Sequence, residues 1–290
     1  MASKQKTAKK PRGAKASRSS FRAKPAAKPR PKPKAAAKKK KPAARRATIA
    51  RTAARPNERV LGEITVPSGT LALLDIGLYG YLPRDALEPA IVKADVPADR
   101  PLRVVGTTVG TGRFAASWDH VAIVVSDGEI RASKKVGEVG ADFGRILAID
   151  HAALDHWVHE DSLDGLADFV FTGRDAAVLA ASMNARRLAD GYGWIDLPIA
   201  EADHKADEVA RRKASNSWLL ATELRPHSHH HRALAAARTN EYGAGALELA
   251  GTRLLDFRTT WDAGVFPIYV DRDAANQPVQ IRIQLHLGTV

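Results

Sequence analysis

The chain has 290 residues, a net charge of +13 at pH 7 and no Cys, which excludes disulfides, thiolate catalysis and zinc sites with Cys ligands. No apolar run approaches the roughly 20 residues that a membrane-spanning helix needs, so we expect a soluble cytoplasmic protein without a membrane partner. Of the 45 Lys and Arg, 21 lie in residues 1–57, which contain no Asp or Glu, whereas residues 58–290 carry 24 basic and all 32 acidic residues.

Residues 1–57, here called the basic segment, are rich in Lys, Ala and Pro and carry a charge of +21. Pro interrupts helices and dense like charges repel each other, so the composition predicts a disordered tail. Phe21 and Ile49 are too few bulky apolar side chains to build a core. In composition the segment resembles the Lys-Ala-Pro tails of linker histones and of histone-like bacterial proteins.

The basic segment predicts binding to nucleic acid, and we expect DNA, with RNA or another polyanion left open. Such binding is independent of base sequence, because Lys, Pro and Ala do not read base edges. If about half of the cations meet phosphates, log K falls against log salt with a slope near −9. The predicted phosphate contacts are Lys9, Lys10, Arg12, Lys28, Arg30, Lys32, Lys34, Lys38, Lys39, Lys40, Lys41, Arg45 and Arg46.

Residues 58–290, here called the body, carry a charge of −8 and predict one globular α+β unit. Short apolar runs separated by turn signals favour a mainly β, sandwich-like fold over residues 60–150. A helical block is expected at about 165–250, inserted before a C-terminal β hairpin at 253–287. The body therefore predicts a sandwich interrupted by helices.

In the first part of the body, residues 121–125 form a strong strand candidate. Asp127 and Gly128 give a turn signal, and residues 129–131 restart an extended pattern, which predicts a hairpin. Asp119 and His120 are adjacent, and adjacent side chains of a regular strand point to opposite faces. We therefore expect no bond between these two.

In the second part, residues 174–190 have an Ala-rich helical pattern that ends at Gly191. Further helices are expected at 201–224 and 232–238. At the C-terminus, residues 279–285 alternate apolar and polar side chains, which predicts a strand with one buried face. The turn residues 273–277 would join it to a preceding strand at 265–270.

Three segments resemble the bacterial family called domain of unknown function 4241. They are Val-Pro-Ser-Gly-Thr-Leu at 66–71, the stretch from Gly-Arg-Phe at 112 to Ala-Ile-Asp at 150, and Trp-Asp-Ala-Gly-Val-Phe-Pro-Ile-Tyr at 261–269. The chain departs from the family's Trp-Gly-Asp-Gly loop by lacking its first Gly, and residues 165–245 have no counterpart. The resemblance implies a mainly β domain with no established reaction and transfers no catalytic residue.

Two segments are rich in His. In the first, His151, His156 and His159 could hold a divalent metal if the segment were helical, since His156 and His159 would share a face. The alternative is a polar helix start with no ligand role. The second segment has His227, His229, His230 and His231, and the two segments could form one site only if the fold brings them together.

A third candidate site is a ligand surface made of Trp261, Asp262 and Tyr269. The alternative is that Trp261 and Asp262 lie in a structural loop in which Asp262 caps backbone amides.

The sequence thus predicts a non-enzymatic, nucleoid-associated protein that binds DNA through the basic segment and needs no cofactor. The body would recruit an unidentified protein or ligand. The alternatives are a metal-dependent hydrolase that uses His151, His156 and His159, and an immunity-like module that binds a partner protein.

Overall fold

A computed structural model of the chain describes residues 57–287. These residues form a mainly β fold with antiparallel sheets and a smaller helical content, which confirms the predicted α+β class. Residues 1–56, which include all the Lys and Arg predicted to contact phosphate and all but the last residue of the predicted disordered tail, lie outside the described residues. No helix in residues 57–287 is both long enough and apolar enough to cross a membrane.

The strands in chain order are β1 (Glu58–Ile64), β2 (Thr70–Asp75), β3 (Val92–Asp95), β4 (Leu102–Thr108), β5 (Trp118–Val124), β6 (Ala132–Ala141), β7 (Arg145–Asp150), β8 (Leu166–Gly173), β9 (Arg186–Leu188), β10 (Gly191–Pro198), β11 (Leu220–Pro226), β12 (Ala244–Leu249), β13 (Thr252–Arg258), β14 (Gly264–Arg272) and β15 (Pro278–Gln284). The helices are α1 (Arg84–Leu87), α2 (Ala176–Met183), α3 (Ile199–Asn216) and α4 (His229–Arg238). Short 3₁₀ turns lie at Glu88–Ala90, Gly112–Phe114 and His151–His156.

The strands of the described region pair in three sheets. A six-stranded sheet has the order β1-β4-β5-β15-β14-β6, and a five-stranded sheet has the order β12-β13-β7-β2-β3. A four-stranded sheet has the order β11-β8-β10-β9. Every pair within these sheets is antiparallel.

The six-stranded and five-stranded sheets share one hydrophobic core. Ile123 and Ile281 from the first sheet are fully buried in it, as are Ile146 and Phe257 from the second. Burying one such side chain contributes roughly 1.5–3 kcal/mol to folding. The alternating pattern of β15 agrees with the sequence, because its apolar residues are buried and the residues between them are half-buried.

Two further clusters complete the packing. On the other face of the five-stranded sheet, Leu147 and Leu254 pack with Ala233 of α4 and Leu154 of a 3₁₀ turn. A third cluster joins the four-stranded sheet to α2 and α3. Its fully buried members include Phe169, Phe171, Leu179 and Val209.

The predicted hairpin between residues 121–125 and 129–131 is wrong. Strand β5 pairs with β4 and β15, whereas β6 pairs with β14. The β14–β15 hairpin, which the alternation at 279–285 predicted, lies between β5 and β6. A turn signal such as Asp127-Gly128 marks where a strand ends, but the partner strand is chosen by side-chain packing that is distant in sequence.

The predicted helical block at about 165–250 is not wholly helical, because it also contains the five strands β8 to β12. The helix predicted at 174–190 stops at Met183, where Asn184 adopts a left-handed conformation with φ of 52°. The helix predicted at 201–224 ends at Asn216, and Ser217 has φ of 54°. Residues beyond it form β11, which pairs with β8. The residues at 253–258, assigned to the C-terminal hairpin, form most of β13 in the five-stranded sheet.

Candidate functional site

The structure places His151, His156 and His159 in different surroundings. The 3₁₀ turn that carries the first two ends at His156, and Trp157 is extended, so His159 does not share a helical face with His156. Nε2 of His151 lies 3.2 Å from Oε1 of Glu88, His156 is exposed and His159 is buried. The predicted metal site of these three residues rested on a continuous helix, and that helix is absent from this segment.

The fold instead brings His159 to the second His-rich segment. Its Nδ1 lies 3.3 Å from Nδ1 of His230, which stands in the first turn of α4. His229 also connects the two segments, because its Nδ1 accepts a hydrogen bond of 2.9 Å from the backbone N–H of Val158, next to His159. His159, His229, His230 and His231 are called the histidine junction below.

The histidine junction is neutral near pH 7. The pKa of His159, His230 and His231 is lowered to about 4, mainly by burial and in addition by repulsion from a neighbouring imidazole. Neutral imidazoles are potential metal ligands, but Nδ1 of His159 already accepts a hydrogen bond of 3.3 Å from Nε1 of Trp157. Packing is therefore the role that these contacts support.

A second cluster surrounds His227, just before α4. Nδ1 of His227 lies 3.1 Å from Oδ2 of Asp164, and its Nε2 lies 3.2 Å from Oδ1 of Asp168 and 4.0 Å from Oδ1 of Asp196. Asp164 also accepts a hydrogen bond of 2.7 Å from Arg232. Burial lowers the pKa of His227, but the hydrogen bonds to Asp168 and Asp164 outweigh it and the pKa is raised.

Asp168, Asp196 and His227 can each direct one ligand atom to a common point, because these atoms lie within 4.8 Å of one another. Two carboxylates and an imidazole are donors that zinc and other divalent metals accept. Asp196 stands at a bulge in β10 with φ of 57°, and its N–H donates to Oδ1 of Asp168. The sequence did not predict Asp168 and Asp196 as ligands. The two are 28 residues apart, and both lie outside the two His-rich segments.

A small cavity of about 160 Å³ lies beside this cluster. It is lined by Asp168, Arg225, His227, His231, Arg232, Ala235 and Arg238. Nε of Arg225 and Nδ1 of His231 are buried there without a hydrogen-bond partner among the described residues. Arg225 is also paired with Asp190 and Glu223. Because Asp168 and three Arg side chains line the cavity, its wall has both charges.

A larger pocket of about 530 Å³ lies where strands of both sheets of the sandwich meet the loops at 109–117 and 259–263. Its lining residues are Arg59, Thr108, Ala115, Ala116, Trp118, Glu241, Tyr242, Gly243, Arg258 and Thr260. The ring of Tyr242 meets that of Trp118 edge to face, with centroids 6.1 Å apart. This volume is in the range typical of small-molecule sites.

The backbone of Trp118 is held by the neighbouring loop. Its N–H donates to Oγ1 of Thr260 at 2.8 Å, and its carbonyl accepts a hydrogen bond of 2.6 Å from Nε1 of Trp261. Thr260 has φ of 63° and Asp262 has φ of 57°, which are rare for residues with a side chain and above all for a β-branched one. The loop thus keeps two strained residues beside the pocket.

The structure separates the residues predicted as a ligand surface. Trp261 stacks on His286 with centroids 5.0 Å apart, whereas the ring of Tyr269 lies 4.6 Å from the guanidinium of Arg282 on the six-stranded sheet. Asp262 contributes its backbone carbonyl, which accepts from Oγ1 of Thr259 at 2.9 Å. The hydrogen bond from Thr259 therefore holds the loop in place. Of the three predicted residues, Trp261 is the one that bonds directly to the pocket residue Trp118.

The expectation of no bond between Asp119 and His120 is wrong. Their Oδ2 and Nδ1 atoms lie 2.7 Å apart. Thr107 pairs with His120 and Thr108 pairs with Trp118, so Asp119 is the extra residue of a bulge. A bulge breaks the alternation of side chains, which lets adjacent residues meet.

Comparison of the chain with family models, with curated proteins and with solved structures found no match. The resemblance to the family called domain of unknown function 4241 therefore stays a prediction. The pocket at Trp118 and the cluster at His227 are the two candidate sites in the described residues.

Proposed function

We propose that the chain is a non-enzymatic nucleic-acid-associated protein, in which the basic segment binds phosphates and the body binds a separate ligand or partner. The observation that carries this proposal is the division of charge, +21 in residues 1–57 and −8 in residues 58–290. A polyanion attracts the first part by releasing counterions and repels the second. Binding through the basic segment would hold the body close to DNA, which corresponds to nucleoid association.

The negative body supports a division of labour between the two parts. Its acidic excess gives it no general attraction to phosphate, so any binding by the body requires a local site. The pocket at Trp118 offers such a site, because Arg59 and Arg258 line it together with two aromatic rings. The basic segment would then provide location, and the body would provide recognition.

The test is binding of a labelled random DNA duplex by the full chain over a salt series. A matched full-length variant has the 21 Lys and Arg of residues 1–57 replaced by Gln and is called the neutral-tail variant. We expect the wild type to bind with a log–log slope near −9 if about half of its cations meet phosphates, and the variant to lose this binding. Equal binding by both proteins, or wild-type binding that ignores salt, would contradict the proposal.

A metal-dependent hydrolase is the second candidate function, and one observation favours it. Asp168, Asp196 and His227 have the ligand atoms and the spacing for a divalent cation, which replaces the set predicted from the sequence. The adjacent cavity has Arg225 and Arg232 in its wall, which suits an anionic substrate group. A metal ion held by these three residues would polarise the anionic substrate group or activate a water molecule.

The hydrolase candidate is tested by titrating chelator-treated full chain with Zn²⁺ and Mn²⁺ in a calorimeter. One equivalent should bind to the wild type, and Asp168→Asn should weaken binding at least about tenfold because a charged ligand is lost. Asp203→Asn, an exposed position on α3, is the matched control. Absence of stoichiometric binding, or equal binding by both variants, would remove this candidate, as would no hydrolysis of bis(4-nitrophenyl) phosphate by the metal-loaded protein.

A further inference from the structure

Trp118, which lines the larger pocket, has a buried hydrogen-bond donor that no group among the described residues accepts. Trp118 is 3% exposed, and its Nε1 has no hydrogen-bond partner among residues 57–287. A buried N–H group without an acceptor costs about 1–3 kcal/mol. Such groups are uncommon in folded proteins, and one that belongs to a residue lining a pocket points to an acceptor supplied by a ligand.

The orientation of the indole follows from its packing. A Cβ placed on Gly106 would lie 2.8 Å from Cε3 and from Cζ3 of Trp118, so the six-membered ring rests against the backbone of β4 at that Gly. The pyrrole N–H is on the opposite side of the ring system from these two atoms. Gly106 thus provides room for the indole, and the donor is directed away from that strand.

The other lining groups define the chemistry that would fit. Arg59 and Arg258 bring two guanidinium groups to the rim and Glu241 brings one carboxylate, so the side chains give the pocket one net positive charge. Tyr242 adds a half-buried aromatic ring next to Trp118. Guanidinium groups recognise phosphate through paired N–H donors, and aromatic rings pack well on planar heterocycles.

We propose that this pocket binds a nucleotide, with the base packed against Tyr242 and the phosphate at Arg258 and Arg59. Nε1 of Trp118 donates to a carbonyl or ring nitrogen of the base. Other planar anions would also suit these groups. The choice of a nucleotide rests on the proposed function, because the body would then bind the same class of molecule that the basic segment is proposed to bind. The nucleotide can be free or can be the end of a single strand, since both present a base and a phosphate.

The experiment is calorimetric titration of the neutral-tail variant, which removes phosphate binding by residues 1–57. The probes are adenosine 5′-monophosphate, adenosine, and a 5′-phosphorylated eight-residue deoxyadenosine strand. We expect 1:1 binding of the mononucleotide or the strand, and binding of adenosine about tenfold weaker because its phosphate is missing. Binding of the mononucleotide assigns the free ligand, and binding of the strand alone assigns a strand end.

Two variants in this background test the pocket itself. Arg258→Gln, at an exposed position, should weaken nucleotide binding about tenfold by removing a charged donor. Arg253→Gln, also exposed and on the same strand β13, should leave binding unchanged, because its guanidinium bonds to Glu248 instead. Trp118→Phe keeps an aromatic ring and removes the N–H, and it should also weaken binding.

The proposal is overturned if neither nucleotide probe binds, or if Arg258→Gln binds as tightly as Arg253→Gln. Because Arg258 is exposed, its loss is not expected to unfold the protein, so that comparison stands even if Trp118→Phe is unstable. Steep salt-dependent duplex binding by the wild type without nucleotide binding in the pocket would reject this inference alone. Nucleotide binding without duplex binding would reject the proposed function alone.

Discussion

His230 in α4 has an imidazole whose pKa is strongly shifted by its surroundings. Its pKa is lowered to about 4 by burial, then by the neighbouring His159, while a backbone hydrogen bond at Ile76 opposes the shift. Among the smaller causes of this shift, the charge of Arg145 lowers the pKa and that of Glu223 raises it. The high density of His is visible in the sequence, but the meeting of His159 and His230 is not, because 71 residues separate them.

Acid should therefore destabilise the protein through the histidine junction. Between about pH 4 and 6.5 the unfolded chain binds protons that the folded His230 excludes, so this contribution to stability is present above about pH 6.5 and is lost as the pH falls. We expect the Tm to drop between about pH 7.5 and pH 5, and to drop less in His230→Gln. Scanning calorimetry at both pH values checks this.

His156→Gln is the control for the acid effect. His156 is exposed and lies outside the histidine junction, so the change in Tm with pH should equal that of the wild type. A His230→Gln protein with the full wild-type pH dependence would contradict the assignment.

The pocket at Trp118 illustrates why the candidate site could not be found at the residue scale. Trp118 is a single aromatic residue in a strand, and its surroundings come from β1, β13 and the turn before β12. Arg59 and Arg258 are far apart in sequence and neither belongs to a motif. Trp261 was identified as a candidate because its loop is distinctive, and its hydrogen bond leads to the pocket.

Among the elements, β14 and β15 were predictable because their alternation and their turn are local features. The assignment of β6 was not, since its partner β14 lies more than a hundred residues away in sequence. The end of α3 at Asn216 also could not be predicted from the sequence. Ser217 adopts a left-handed conformation there, whereas helical propensity alone continues the pattern into what is β11.

The contact between α4 and β12 depends on one glycine. A Cβ at Gly245 would lie 2.3 Å from the carbonyl oxygen of Ala233 and 2.7 Å from the backbone nitrogen of Ala237. Gly245→Ala must push the helix away from the five-stranded sheet, so we expect a loss of about 1–3 kcal/mol in the free energy of unfolding. Urea denaturation measures the change.

Gly140→Ala is the matched control in β6. A Cβ at Gly140 meets no atom within 4 Å, so stability should stay the same or rise slightly. Equal stability of the two variants would show that the space between α4 and β12 can accommodate a methyl group at position 245.

At the scale of the whole molecule, the last strand of the described region lies inside the six-stranded sheet and not at its edge. The C-terminal strand β15 lies between β5 and β14, and it contributes Ile281 and Ile283 to the shared core. The central position of β15 could not be derived from the sequence, because local patterns define strands and not their order. The sandwich class followed from the number of short strands alone.

A chain that ends after Asp273 lacks β15 and leaves β5 and β14 without their common neighbour. We expect it to lose the cooperative thermal transition, since two fully buried Ile side chains and two rows of backbone hydrogen bonds are removed together. A chain that ends after Leu287 keeps every described residue and should unfold like the wild type. Circular dichroism during heating distinguishes them, and a cooperative transition in the shorter chain would contradict the expectation.

The central position of the C-terminal hairpin also sets the order of events during protein synthesis. The ribosome makes β5 and β6 more than a hundred residues before β14 and β15, so the earlier strands wait for partners that follow much later in the chain. Until that hairpin emerges, β5 and β6 have open edges that other nascent chains can join.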